Sequence, residues 1–445
     1  NSKNIMSRQK FFNSDTFCAM PFVGVNVTSG GNMRYCCFAE DILEQDGFPL
    51  SINEATLKEG WNSTTIKEAR KKMMDGEEVP GCARCTKEED FTNYGPRISM
   101  TSEWLNRIGR AELVKLFSEA KRNDYVLADN PVYLDLRLGN LCNLKCRMCN
   151  PWNSSQIDKE NKVLWNKDKR YREVFIEEYG GQAQGLEDQQ DWFEADILWD
   201  DILDFIPSLK KVYFTGGEPT MIKGNFRFLE ECIKQGRTDI VPFFNTNLTN
   251  RNKNFTKLIS QFDQVDINGS LDGFGEMNDY IRPPAKWSAV SKNFEKYASF
   301  KNIHLGISPV FQVYNIFNSG DLIKYIEDLK TKYKRNIHID FLLNTHPVIL
   351  KAEILPYSIR EKAQNKLYKY FKTLDHTTLD NMTKTSTEKI LNYLTESKEH
   401  NDEKVFSFIN YTKSLDKHRN QSMKSSCPEL YTELYKYYPK QLDNE

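Results

Sequence analysis

The chain has 445 residues, 39% of them apolar, and its 61 basic and 62 acidic side chains leave a net charge of -1. This composition excludes an intrinsically disordered chain, and the balanced charge argues against a dedicated polyanion-binding surface, so no nucleic-acid partner is expected. No apolar run approaches the roughly 18 residues that cross a bilayer, and the opening NSKNIMSRQKFF lacks a secretory apolar core; no membrane partner is expected, and the expected location is cytoplasmic.

In chain order, residues 1–125 come first. They hold five of the ten cysteines and few long apolar runs, which reads as a small domain stapled by metal. One helix is predicted, Thr65 to Met74, ended by Asp75 and Gly76. Cys18, Cys36, Cys82 and Cys85 supply four thiolates. They can fully coordinate an iron–sulfur cluster or a structural zinc ion, and spacing alone does not separate the two. Cys37 adjoins Cys36, and adjacent side chains on an extended chain point opposite ways, so only one of the pair is expected in such a site. Cys232 and Cys427, far from the others, read as buried small hydrophobes.

Residues 126–345 alternate strands with helices. The strand runs are Val132–Leu138, Lys211–Phe214, Val241–Phe244, Val265–Ser270, Ile303–Val310 and Ile337–Leu343; amphipathic stretches such as Phe226–Ile233 and Gly320–Tyr333 lie between them. That pattern predicts an α/β fold of parallel strands with crossover helices. Six strands suit a partial (β/α)6 TIM-like barrel, with chemistry at the C-terminal ends of its strands. Residues 152–200 form a polar, acidic insertion, read as helix and loop serving as a solvated cover or a substrate lid. Residues 346–445 show helical spacing and no strand, a helical C-terminal tail. No internal repeat or low-complexity linker interrupts the chain.

The chemistry concentrates at Cys142, Cys146 and Cys149, spaced C-x3-C-x2-C directly after the first predicted barrel strand. Three thiolates on one loop can hold three irons of a [4Fe–4S] cube and leave the fourth iron open. Zinc usually takes four ligands, commonly paired two by two, and no fourth lies beside this triad. The triad resembles the signature of the radical SAM superfamily. The resemblance implies that the open iron chelates S-adenosylmethionine (SAM). An electron from the cluster then cleaves a carbon–sulfur bond, giving methionine and a 5′-deoxyadenosyl radical that takes hydrogen from a substrate. One departure is Met148, where the family usually has an aromatic residue; methionine can also pack on adenine.

Further motifs fall near later strands. Gly216, Gly217, Glu218 and Pro219 follow the second; by themselves they mark a turn, and in the family such an element grips the SAM amino group. Asn245 and Asn247 close the third strand, and Ser270 and Asp272 the fourth. They offer polar groups for ribose hydroxyls, or act as caps and turn residues. The resemblance matches Ser270 to a ribose-contacting position and Arg282 to an arginine that often meets the SAM carboxylate. Asn315, after the fifth strand, fits a polar contact in the adenosine region. Tyr213, Glu218 and Asp272 lie near the predicted site with no proton-transfer role assigned.

The pairing of such a barrel with Cys18, Gly31, Cys36 and the CARC at 82–85 resembles a SPASM or twitch auxiliary-cluster domain, here before the barrel instead of after it. It implies a second [4Fe–4S] cluster for electron transfer or substrate positioning, and an electron donor such as flavodoxin or ferredoxin. A peptide or protein substrate is favoured, with a small molecule as the alternative. Two rival readings remain: a zinc-stabilised, non-catalytic binding protein, and a simple iron–sulfur electron carrier. The GGEP element and the ribose positions argue against the carrier, which needs no nucleoside pocket.

Overall fold

The computed structural model describes residues 16–92, 95–180, 192–250 and 252–443. The chain forms two compact units, one of Asn1–Gly139, Asp188–Phe243 and Lys257–Gln264, the other of Asn140–Glu187, Phe244–Thr256 and Val265–Glu445. The architecture is mixed α/β with mostly parallel strand pairing.

In the first unit, β1 (Gly24–Val27) pairs antiparallel with β2 (Met33–Arg34), and β3 (Glu44–Gln45) with β4 (Phe48–Pro49). β5 (Tyr133–Leu136) lies parallel to β1, and β6 (Lys211–Phe214) parallel to β5. β7 (Val241–Thr246) runs across the boundary of the two units. Side chains alternate across each strand, so Val25, Val27, Leu134, Leu136, Val212 and Phe214 form one apolar face, each at most 1% exposed. Phe228 of the helix Lys223–Lys234 packs edge-on to Phe214, ring centroids 5.4 Å apart. Cys232 of the same helix is fully buried. The predicted helix spans Thr64–Asp75 and ends on Gly76 at φ 78°, the left-handed cap that glycine adopts without strain.

β1 is a strand that the sequence did not announce. GVNV is four residues long, and its partner β5 lies at residues 133–136, so no local signal marks it. Its first residue must be glycine: a Cβ there would stand 2.4 Å from the Tyr133 carbonyl oxygen.

In the second unit, β8 (Val265–Gly269), β9 (Ile303–Ile307) and β11 (Ile337–Ile339) are parallel neighbours, and β10 (Val310–Phe311) pairs parallel with β12 (Leu342–Leu343). The helices Trp287–Ala298 and Ser319–Tyr333 supply the crossovers. The acidic insertion contributes helices Ser155–Lys167 and Lys169–Tyr179 here and Asp196–Phe205 in the first unit; its residues 181–191 lie outside the described residues. Past Leu343 the regular elements among the described residues are helices, including Tyr357–Phe371, Asn381–Thr395 and Asp402–Arg419. Among the described residues no helix is long and apolar enough to cross a membrane.

Candidate functional site

In the first unit, Cys18, Cys36, Cys82 and Cys85 line one cavity partly open to solvent. Cys18 precedes the helix Met20–Val23, Cys36 follows β2, and Cys82 and Cys85 sit on one continuous turn and helix starting at Pro80. The adjacent Cys37 lies against the Asp135 carboxyl. Burial pushes the Cys18 thiol up to about 12 and raises Cys82 and Cys85 too, while Arg97 in the cavity wall pulls Cys18 and Cys82 the other way. Thiols so placed ionise only when a strong positive charge joins them, as a metal provides. The Tyr35 hydroxyl stands between two acceptors for its one proton, Asp41 Oδ2 at 3.3 Å and Cys82 Sγ at 3.8 Å, and its hydrogen bond favours the Cys82 thiolate. Among the described residues no three Cys, His, Asp or Glu side chains meet at a single-ion position; the four thiols surround a space.

In the second unit, Cys142, Cys146 and Cys149 occupy one loop whose alternate side chains do different work. Toward the thiols point nitrogen donors: Leu144 N is 3.5 Å and Asn247 Nδ2 4.0 Å from Cys142 Sγ, and Arg282 Nη1 is 3.6 Å from Cys146 Sγ. Burial pushes Cys146 up to about 12 against the pull of Arg282, and raises Cys149 as well. Lys145 and Arg147 face away into protein. Lys145 pairs with Glu160 at 3.0 Å, which Arg419 grips at 2.5 Å; burial would raise the Glu160 carboxyl, but Arg419 and Lys145 hold it below the usual range. Arg147 is fully buried. It pairs with Asp416 at 2.5 Å and stacks 3.7 Å over the Tyr280 ring, while the Tyr411 hydroxyl donates to its carbonyl at 2.8 Å. The helix Asp402–Arg419 thus clamps the loop. Sequence reasoning missed Glu160, Tyr411, Asp416 and Arg419; the only local trace was two cations set between cysteines.

The residues read as cofactor contacts fall in both units. In the first, Gly216 has φ 105° and lies so close to Gly139 that a Cβ would stand 3.1 Å from its carbonyl oxygen. Glu218 is buried, its Oε1 accepting from Thr220 N at 3.1 Å and Oγ1 at 2.6 Å, and Pro219 accepts from Asn225. In the second, Asn247 donates to Asn143 Oδ1 at 2.9 Å, and its own Oδ1 accepts from the Thr249 hydroxyl at 2.6 Å. Asp272 and Arg282 form an ion pair at 2.7 Å, and Asp272 Oδ1 accepts from Val310 N. Asn315 is buried and committed to its neighbours: Nδ2 donates to the Asp272 and Val310 carbonyls, both at 2.8 Å, and Oδ1 accepts from Gln312 N. Ser270 and Met148 are half-buried. Asn245 lies inside β7, not past its end, because the pairing of that strand runs on to Thr246. The structure therefore gathers Asn247 and Arg282 onto the triad and interlocks Asp272, Arg282 and Asn315.

Residues 18–86 match the SPASM iron–sulfur cluster-binding domain. No curated protein matches the chain. Among solved structures, SuiB of Streptococcus suis bound to S-adenosylmethionine is similar at 13% identity, with 64% of each chain covered and a TM-score of 0.34. SuiB bound to the precursor peptide SuiA is similar at 12% identity, covering 78% of this chain and 70% of that one, with a TM-score of 0.35. The chain spans less than two thirds of the SAM-bound SuiB chain. TM-scores at this level do not establish a shared fold, so the chemistry rests on the chain's own residues.

Proposed function

This chain carries a SPASM iron–sulfur cluster-binding domain match at residues 18–86, and we propose that it is a radical SAM enzyme with one auxiliary cluster. The observation that carries this reading is the single loop presenting Cys142, Cys146 and Cys149 with Arg282 and Asn247 aimed at its thiols. A [4Fe–4S] cluster held by that loop would supply the electron that reductively cleaves SAM to methionine and a 5′-deoxyadenosyl radical, the species that takes hydrogen from the substrate.

The protein's own groups have separate tasks. Arg282, kept charged against burial by Asp272, offsets thiolate charge beside Cys146. It is also the candidate partner of the SAM carboxylate. Gly216 and Gly217 present backbone rather than side chains, as gripping an amino group requires, and Glu218 holds the turn. Asn245, Asn247 and Ser270 are the candidates for ribose hydroxyls; Met148 is the candidate to pack on adenine. Asp272 and Asn315 act as positioning residues, given how their polar atoms are spent. Residues 126–345 would form the partial barrel that shapes this site, with 346–445 as a helical buttress. Cys18, Cys36, Cys82 and Cys85 would hold the auxiliary cluster, for electron transfer or substrate positioning. A peptide or protein substrate is favoured by the long acidic insertion, and a cytoplasmic flavodoxin or ferredoxin would serve as the donor.

The test is anaerobic reconstitution with iron and sulfide, then SAM and dithionite. About eight irons per chain and release of 5′-deoxyadenosine are expected. Bound zinc with intact SAM would establish the rival binding protein. The auxiliary site gives its own prediction. Hydrogen bonds to cluster sulfurs help to set reduction potential, so Tyr35→Phe should lower the midpoint potential of one cluster in an EPR-monitored titration and leave the other unchanged.

A further inference from the structure

The cavity of the first unit is walled by more than the segment that supplies its cysteines. The matched domain ends at residue 86. Beyond it, the helix Pro96–Arg122 brings Arg97 and Met100 into the cavity lining. Thr101 comes one residue later, and its hydroxyl oxygen accepts from Ala19 N at 3.2 Å, beside Cys18. Residues i, i+3 and i+4 of a helix share one face, so one face of this helix closes that side of the cavity. Apart from the cysteines the lining is neutral and mostly apolar, with Met20, Phe38 and Met73 in it; among the described residues Arg97 is its one charged side chain.

Arg97 is firmly held. Its Nε and Nη2 meet the two carboxylate oxygens of Glu89 at 2.9 and 2.5 Å, and Nη1 donates at 2.8 Å to the carbonyl of Phe17, the residue before Cys18. A bidentate pair of this kind fixes the guanidinium in direction as well as distance. The Arg97 side chain is 11% exposed and that of Glu89 15%, so salt screens the pair little. Glu89 does not line the cavity. The cation therefore stands nearer the sulfurs than its own counter-charge, and its field reaches Cys18 and Cys82. A pair that only fastened the helix would work equally well with its ends exchanged.

We propose that Arg97 sets the reduction potential of the auxiliary cluster, raising it by holding a fixed positive charge in the cavity wall. This inference rests on the auxiliary-cluster reading above and deepens it. A cube bound by four thiolates is an anion, and one-electron reduction adds one more negative charge. Net charge is among the levers on a cluster's potential. Between walls of methionine and phenylalanine a neighbouring charge acts more strongly than it would in water. A cation fixed there stabilises the reduced form over the oxidised one. A set potential serves electron transfer, whereas positioning a substrate requires none. Of the two tasks given to this cluster, Arg97 points to the first.

The experiment is an EPR-monitored redox titration of the reconstituted full chain, repeated in Cys146→Ser chains, where the auxiliary cluster is read alone. Arg97→Gln should favour the oxidised cluster about tenfold, a fall in midpoint of about 59 mV for a one-electron couple. Arg97→Lys keeps the charge and should fall less. Glu89→Gln strips the counter-charge and should raise the midpoint. Opposite signs from the two halves of one ion pair mark an electrostatic role, because loosening the helix would move both variants the same way. The cluster on the triad should keep its potential throughout. Should Arg97→Gln lose its iron, Arg97→Lys and Glu89→Gln still decide the matter. Unmoved midpoints, shifts of one sign, or an equal fall in Arg97→Lys would each overturn the proposal and leave the auxiliary-cluster reading intact. Zinc in the cavity, with no redox signal from it, would overturn that reading and this inference together.

Discussion

Cys146→Ser is expected to abolish release of 5′-deoxyadenosine and to remove about half of the reconstituted iron, leaving the signal of the other cluster in place. The reasoning is local. Cys146 is the buried member of its triad, and Arg282 Nη1 stands 3.6 Å from its sulfur. Serine there takes away a soft thiolate from a site built to hold one, and two cysteines on a short loop cannot hold a cube at three corners. The four other cysteines line their own cavity in the first unit, so their iron should persist. Cys82→Ser should do the reverse: the other half of the iron is lost and substrate-free cleavage of SAM survives. Iron assay, EPR and chromatography of the nucleoside decide it. Cleavage surviving in Cys146→Ser, or all iron vanishing with it, would mean that the two sites are not the independent centres argued here.

The second large effect lies far in sequence from the cysteine triad. Asp416→Ala should destabilise the protein by about 3–5 kcal/mol, because removing one partner of a buried ion pair strands the other charge. Arg147 has no exposed side-chain surface. Its remaining hydrogen bonds run to the Tyr280 carbonyl and to Gln421 Oε1, both at 2.9 Å, neither of which carries a negative charge. The lost carboxylate also accepts from the Tyr280 hydroxyl at 2.9 Å and from Met423 N at 2.6 Å, so three donors lose their acceptor at once. Asp416→Asn, retaining one oxygen, should fall between. Urea unfolding midpoints measure this, and a midpoint for Asp416→Ala matching wild type would show the pair to be replaceable by solvent.

What the sequence made legible follows from range. The parallel strands β5, β6, β7, β8, β9 and β11 announce themselves because short aromatic and β-branched runs need no distant partner to be recognised. β1 does not, since GVNV becomes a strand only against residues 133–136. The triad was legible because its ligands share one loop. The clamp of Arg147 by Asp416 was not, because 269 residues separate them. Cys36 and Cys37 were distinguishable only as alternatives; the fold puts Cys36 on the cavity wall and Cys37 beside Asp135. Asp272, Arg282 and Asn315 read alike as ligand contacts. Spacing cannot tell a polar group awaiting a ligand from one already bonded to a neighbour, and Asn315 proves to be of the second kind.

The separation of Arg147 from Asp416 also has a consequence in time. A ribosome adding roughly 5–20 residues per second makes the loop about 13–54 s before its counter-charge emerges. For that interval the guanidinium has no carboxylate to meet it, and the cysteine loop lacks the helix that clamps it. The site that the loop at residues 142–149 begins is finished only once residue 416 has been made.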